Sequence, residues 1–333
     1  MKIKTYLPPG ANILLEQKRL MEGGNQTSIS EFILLGLSNK PEQERLLFIL
    51  FLVMYLITVL WNLLIILAIR TDSHLHTPMY FFLSNLSLVD ICFTSSTVPK
   101  MLVNYISGNK AISYVGCLTQ VFFFSWFAGL DSIILASMAY DRYVAICAPL
   151  HYTMIMTQKV CARLVGVCWF WACIDALIHT ASLTRLSFCG HNEIPHFFCD
   201  LSVVIRLACS DTLLNDLMVY TVGGLTAVMP FIGILISYTR IFIAVLKIPS
   251  THGKKKAFNT CGSHLAVVCL FYGTIIGVYF NPTSTHTAQK DTASAVMYTV
   301  VTPMLNPFIY SLRNNDMKRA LKMLFIRKPG PSL

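Results

Sequence analysis

Apolar residues run along this chain in blocks separated by short polar stretches, and the blocks are long. A helix crosses roughly 30 Å of hydrocarbon with about 20 apolar residues. Segments of that length fall at Leu46 to Ile69, Tyr80 to Leu102, Cys117 to Tyr143, Val160 to Leu183, Leu213 to Leu246, Ala257 to Phe280 and Thr292 to Leu312. Only helices and closed barrels satisfy their backbone groups in lipid, so the pattern predicts an all-α membrane protein, a bundle of seven spans. An odd number of spans puts the two chain ends on opposite sides. Residues 1–45 are polar, with Pro8, Pro9, Gly10, Gly23 and Gly24, and predict an extracellular tail without a packed domain. That tail lacks the charged start, apolar centre and small-residue cleavage site of a signal peptide. The first span is therefore the expected targeting signal, and Met21 is a possible second start. Beyond the bundle (46–312), Met317, Leu321, Leu324 and Phe325 recur at helical spacing between Lys318, Arg319 and Lys322. The segment 313–333 thus predicts a cytoplasmic tail with a short amphipathic helix on the membrane face.

Composition sharpens this picture. Hydrophobic residues make up 55% and charged residues 13% of the 333, against about 25% charged in soluble domains. With the amino end outside, the inner segments hold fifteen of the 26 Lys and Arg but only Asp72, Asp141 and Asp316 as acids. Cytoplasmic loops carry such an excess, so the net charge of +10 reports orientation at a lipid bilayer and not nucleic-acid binding.

Candidate chemistry is sparse. Asp141 and Arg142 arrive together after a run in which Asp131 is the one charge, where a span leaves the membrane; arginine there needs headgroups or a carboxylate. Asp90, Asp131 and Asp175 are ionisable groups within spans, which marks them as functional candidates. Asp90 and Asp131 fall at similar depth, and two acids at one depth share a proton, bind a cation or stay protonated and hydrogen bonded. Cys117 and the outer-loop residues Cys189, Cys199 and Cys209 predict two bridges on an oxidising side. In the same loop His191, Glu193, His196 and Asp200 lack a firm metal-ligand spacing, and a solvated lid is the expected role. Asn25-Gln26-Thr27 is a glycosylation sequon on the outer side; Asn85-Leu86-Ser87 lies inside a span and is not expected to be used. Pro230, Gly273, Gly277, Pro303 and Pro307 are candidate bending points.

Taken together, these motifs resemble the olfactory receptors of the tetrapod type (class II), a branch of the rhodopsin-like G protein-coupled receptors. The resemblance is carried by Met138 to Cys147 with Pro149-Leu150-His151-Tyr152, by Leu75 to Asp90 and by Ser237-Tyr238. Further matches are Lys256 to Leu265 and Pro303 to Asn314. It implies a ligand pocket between the outer halves of the spans. Phe124, Ser125, Ala128 and Gly129 would line it from the third, Val222 and Thr226 from the fifth. Tyr272, Ile275, Ile276 and Tyr279 would line it from the sixth, Tyr298 and Thr299 from the seventh. Such a lining, apolar with a few hydroxyls, suits a small volatile odorant. The resemblance further implies bridges Cys117–Cys199 and Cys189–Cys209, a sodium or proton site at Asp90 and Asp131 and otherwise no cofactor, and Tyr272 as an activation toggle. For coupling to a heterotrimeric stimulatory olfactory G protein, and so to cyclic AMP, it implies Asp141, Arg142, Tyr143, Tyr238, Asn306, Pro307 and Tyr310. The plasma membrane of olfactory cilia is the implied location. The first 20 residues extend past the short amino end usual in that family.

Other classes fit less well. A transporter or channel with seven spans is the alternative, but the chain has no internal repeat of the kind such proteins show. A retinal-bearing light receptor needs a lysine in the seventh span, and Thr292 to Leu312 has none. No set of nucleophile, base and orienting group supports an enzyme.

Overall fold

The structure is a computed structural model and describes residues 29–38, 40–190, 192–279 and 293–326. Among the described residues seven helices form the bundle: α1 (Pro41–Thr71), α2 (Pro78–Ser107), α3 (Tyr114–Cys147), α4 (Gln158–Leu183), α5 (Leu213–Leu246), α6 (Thr251–Tyr279) and α7 (293–313). A bend of 97° separates α7 from α8 (Asn315–Ile326). Local chemistry sets the starts. Pro41 and Pro78 occupy the first turns of α1 and α2, where the missing N–H has no helical partner to lose. Ser113 and Thr157 cap α3 and α4 by accepting from the amides of Gly116 and Val160. Gly108, at φ 67°, closes α2 in the left-handed region.

α3 lies at the centre, packed on α2, α4 and α5, whereas α6 packs far less extensively on α3 and α5 than they do on each other. The periphery is apolar: Leu46, Ile49 and Leu60 on α1 and Val228, Met229 and Ile236 on α5 are more than half exposed. A contiguous belt of this kind is sustained in lipid, not in water.

Three features add to these expectations. The amino-terminal segment is not wholly unpacked: β1 (Glu31–Leu34) pairs antiparallel with β2 (Ala111–Ser113) and parallel with β3 (Glu193–Ile194), in the order β2-β1-β3. Its alternation explains why, since Phe32 and Leu34 are fully buried while Glu31 faces out. Secondly, α6 carries an apolar stretch at Cys261–Ile276, and the helix begins at Thr251, so that Lys254 and Lys255 lie on turns before the expected span. Thirdly, α5 and α7 carry π-helical turns at Val219–Gly223 and Met297–Val301, so the irregularities precede Pro230 and Pro303. In α7 the Thr302 hydroxyl donates to the Met297 carbonyl (3.0 Å), and the Asn62 amide donates to that of Pro303 (3.4 Å). The Met297 carbonyl thus accepts both the Thr302 amide and its hydroxyl, and the Asn62 amide supplies the donor that Pro307 lacks for the Pro303 carbonyl.

Candidate functional site

Two ends of the bundle are chemically distinct, and a column of side chains joins them. At one end Cys117–Cys199 and Cys189–Cys209 are bonded, and the first bridge ties the loop bearing Phe197 and Phe198 to the start of α3. Phe198 thereby meets Phe124 of α3 with ring centres 4.8 Å apart. Phe124 also meets Phe93 of α2 (5.0 Å) and Tyr298 of α7 (5.8 Å), and Tyr298 meets Phe271 of α6 (6.1 Å). Elements far apart in sequence so contribute to one aromatic cluster.

The remaining pocket candidates fall around this cluster in different settings. Ser125, Ala128, Val222 and Ile275 are half-buried, while Ile276 is 47% exposed. The Thr299 hydroxyl is buried and donates to the Ala295 carbonyl, 2.8 Å away. Gly129 allows close approach: a Cβ there would stand 3.2 Å from the Thr226 methyl and 3.5 Å from the Ala172 Cβ. Thr226 turns its hydroxyl to α4, donating to Asp175 (3.1 Å) and accepting from the Trp171 indole (3.2 Å). Asp175 also lies 3.5 Å from His179, one turn further along α4. Asn25 and the side chain of Tyr279 lie outside the described residues.

One level deeper, the Tyr272 hydroxyl shares a 2.8 Å hydrogen bond with Ser132 of α3 and stands 3.4 Å from the Ala227 carbonyl of α5. Below it Asp90 and Asp131 are almost fully buried and close enough to interact electrostatically. The Asn306 amide donates to both Asp90 oxygens, at 3.0 and 3.2 Å. One Asp131 oxygen and the Asn306 carbonyl oxygen have no hydrogen-bond partner. Among the described residues no group of three or more His, Cys, Asp or Glu is arranged to hold a metal; what gathers here are oxygen donors, the ligand type of hard cations.

Nearer the other end His264 of α6 is buried, with Nδ1 2.7 Å from the Tyr238 hydroxyl of α5 and Nε2 3.0 Å from the Leu135 carbonyl of α3. Arg142 lies 3.3 Å from Asp141, whose second oxygen accepts a 2.8 Å bond from the Tyr152 hydroxyl. Tyr152 stands outside the spans. Burial above all, then the Asp141 charge, raises its phenol above the ordinary range, so it remains the donor. A cavity of about 780 Å³ opens beside these groups, lined by Arg142, Lys255, Tyr310 and Asn314 among others. Tyr310 is buried and its hydroxyl has no partner, while Tyr143 packs on Tyr140 (6.2 Å). Pro307 is buried in α7.

The family model described as "Olfactory receptor" matches residues 51–328. The chain is 62% identical over 311 residues to olfactory receptor 1f45 of Rattus norvegicus, covering 93% of this chain and 99% of that one. It is 61% identical over 312 residues to olfactory receptor 1M1 of Mus musculus (94% and 100% covered). It is 60% identical over 302 residues to olfactory receptor 1F1 of Homo sapiens (91% and 97%). The chain belongs to the olfactory receptor family. It is accordingly a multi-pass membrane receptor of the rhodopsin-like type and not an enzyme.

Sequence reasoning placed Tyr272, Asp90, Asp131, Arg142 and Tyr238 in roles but missed Phe93, Ser132, Phe198 and His264. For Phe198 the signal was present, since it precedes the bridging Cys199. His264 stands in the stretch that carried the resemblance. Asp200, weighed as a metal ligand, instead caps the helix Leu201–Arg206 through the amides of Ser202 (2.9 Å) and Val203 (3.4 Å) and the Ser202 hydroxyl.

Proposed function

We propose that this olfactory receptor binds a small, mainly apolar odorant in a chamber formed where the rings of Phe124, Phe198, Tyr298 and Tyr272 cluster, and that binding releases α6 to admit a stimulatory olfactory G protein at the Arg142 end. Cyclic AMP then rises. The chamber would face the outside at the plasma membrane of olfactory cilia. That orientation rests on the two bridges needing an oxidising side and on the basic residues concentrated at the opposite end.

The observation that carries the reading is the double latch on α6. Tyr272 holds it to Ser132 at the chamber and His264 holds it to Leu135 and Tyr238 two turns lower. A ligand shifts a conformational equilibrium only by its differential affinity for the two states, and an odorant touching Tyr272 competes with the upper latch. Opening α6 would free Arg142 from Asp141 and give the unpartnered Tyr310 hydroxyl a place in the enlarged cavity, with Lys254 and Lys255 at its rim. A sodium ion would be held by Asp90, Asp131 and the Asn306 oxygen, stabilising the latched form by neutralising two facing acids. Glycosylation of Asn25 fits this orientation.

The test is cyclic AMP in cells carrying the chain and the olfactory G protein, across a broad odorant panel, beside Arg142→Ala at matched surface level. A dose-dependent signal lost in Arg142→Ala is expected. Signal retained in Arg142→Ala would refute the coupling route. Odorant-independent uptake of a labelled solute, with no nucleotide exchange on the G protein, would favour a transporter.

A further inference from the structure

On the flank of the bundle at the disulfide end, a groove of about 550 Å³ runs between α2 and α3, away from the aromatic chamber and the Arg142 cavity. The Gln120 amide donates to the Ser96 carbonyl (2.9 Å), which sets those two residues level. Lys100 then stands one turn nearer the disulfide end, beside Gly116, and Cys92 and Phe127 lie at the deep end. From Gly116 to Phe127 the floor extends about 16 Å, roughly half the hydrocarbon thickness. Phe123, 39% exposed, forms its open side.

The polar groups of this groove are already matched, with one exception. The Ser95 hydroxyl bonds Tyr55 (3.0 Å), that of Ser96 bonds the Phe93 carbonyl (2.6 Å), and that of Thr119 bonds the Val115 carbonyl (2.8 Å). Gln120 also accepts from the Cys199 amide (2.8 Å). The exception is Lys100. Its ammonium gives one hydrogen to the Ala111 carbonyl (2.7 Å), leaving two, and among the described residues no carboxylate lies within ion-pairing distance. A cation at the shallow end of an apolar slot, in a region where a charge without a partner is costly, is complementary to an anionic head with one long tail.

The geometry points to a lipid site: the groove binds a free fatty acid taken laterally from the bilayer, its carboxylate on the Lys100 ammonium and its chain along Phe123 and Phe127. A single cation at the end of an otherwise matched, apolar lining suits one carboxylate on one hydrocarbon tail, and a phospholipid in its place is an outcome of the test below. The site is separate from odorant binding, and its test needs no signalling readout.

Full-length receptor in phosphatidylcholine nanodiscs is photolabelled with a diazirine analogue of palmitic acid, and the labelled peptides are sequenced. Label is expected on segments containing Cys92, Phe123 or Phe127, displaced by oleic acid and about tenfold less effectively by oleyl alcohol, which keeps the tail and lacks the charge. Lys100→Gln should weaken labelling about tenfold and Lys100→Arg should preserve it. Equal competition by acid and alcohol, label elsewhere, or unchanged labelling in Lys100→Gln would overturn the proposal. Phosphatidylserine competing as well as oleic acid would assign the groove to a phospholipid and overturn the fatty acid. The alcohol comparison uses the unmodified chain, so it decides the matter even where a Lys100 variant folds poorly.

Discussion

His264→Phe is the most informative single perturbation of the latch. The imidazole makes two hydrogen bonds, to Tyr238 at 2.7 Å and to Leu135 at 3.0 Å, and each is worth about 1 kcal/mol net. Little compensating strain is left behind. The Leu135 carbonyl lies within the α3 helix and keeps its helical partner, and the Tyr238 hydroxyl retains the Cys261 carbonyl at 3.5 Å. Both bonds join α6 to neighbours from which it would separate under the proposed mechanism, so removing them would take about 2 kcal/mol from the latched form alone, about a 30-fold shift toward the open one. Basal cyclic AMP at matched surface level should rise by up to that factor while the apparent melting temperature falls. Tyr238→Phe breaks just one of the bonds and should shift the equilibrium about fivefold. Because the two variants share that bond, the double variant should fall short of the product of the single effects. Basal signal unchanged in His264→Phe, with the receptor at the surface, would refute the latch.

Other outcomes follow from other parts of the structure. Replacing about 150 mM sodium with choline should raise basal signal, and Asp131→Asn should abolish that dependence while leaving surface expression; a sodium effect that persists in the variant would remove Asp131 from the site. Gly129→Val should lower surface level and melting temperature, by about 1–3 kcal/mol of overpacking, since a Cβ already meets Thr226 at 3.2 Å; Gly129→Ala should be much milder. Asp72, outside the spans, is held below the ordinary carboxylate range, chiefly by the backbone amide of His74 and then by its ring. A depressed folded value contributes stability above the unfolded pKa and loses it as pH falls through the folded one. The melting-temperature gap between the wild type and Asp72→Ala should therefore be present at about pH 5 and shrink as pH falls below about 4; a gap that widens between about pH 5 and pH 3 would contradict the sign.

How much of this was legible in the sequence depends on whether the controlling interaction was local. The helical spans and the proline starts of α1 and α2 depend on a residue and its near neighbours, and they read correctly. The strand at Glu31–Leu34 did not, because its partners lie 80 and 160 residues away and four residues of alternation are too few to stand out. At the site, ionisable groups in hydrocarbon announced themselves. Phe93, Ser132 and His264 matter through what faces them, and facing is a property of the packed bundle. His264 is the clearest case: its importance lies in the Leu135 carbonyl, 129 residues away.

The polar groups around the chamber also constrain what kind of ligand can act. Thr226 looks in sequence like a hydroxyl available to an odorant, but its proton has Asp175 and the Val222 carbonyl as acceptors at 3.1 and 3.2 Å, and its oxygen accepts from Trp171. What it turns toward Gly129 is a methyl group. Thr299 spends its proton within its own helix. The hydroxyl pair of Ser132 and Tyr272 is then the polar contact that also bears on α6, and its bond is already made. An odorant oxygen reaching Tyr272 would exchange one hydrogen bond for another, with a net gain near zero, so in the proposed site most of the affinity would come from apolar surface buried against Phe124, Phe198 and Tyr298. The exchange nevertheless has a consequence that apolar contact lacks, because the bond given up is one that held α6 in place. Under the proposed mechanism affinity and efficacy would reside in different groups: trimming the odorant's hydrocarbon should weaken binding at constant maximal response, and methylating its polar group should lower the maximal response more than the affinity.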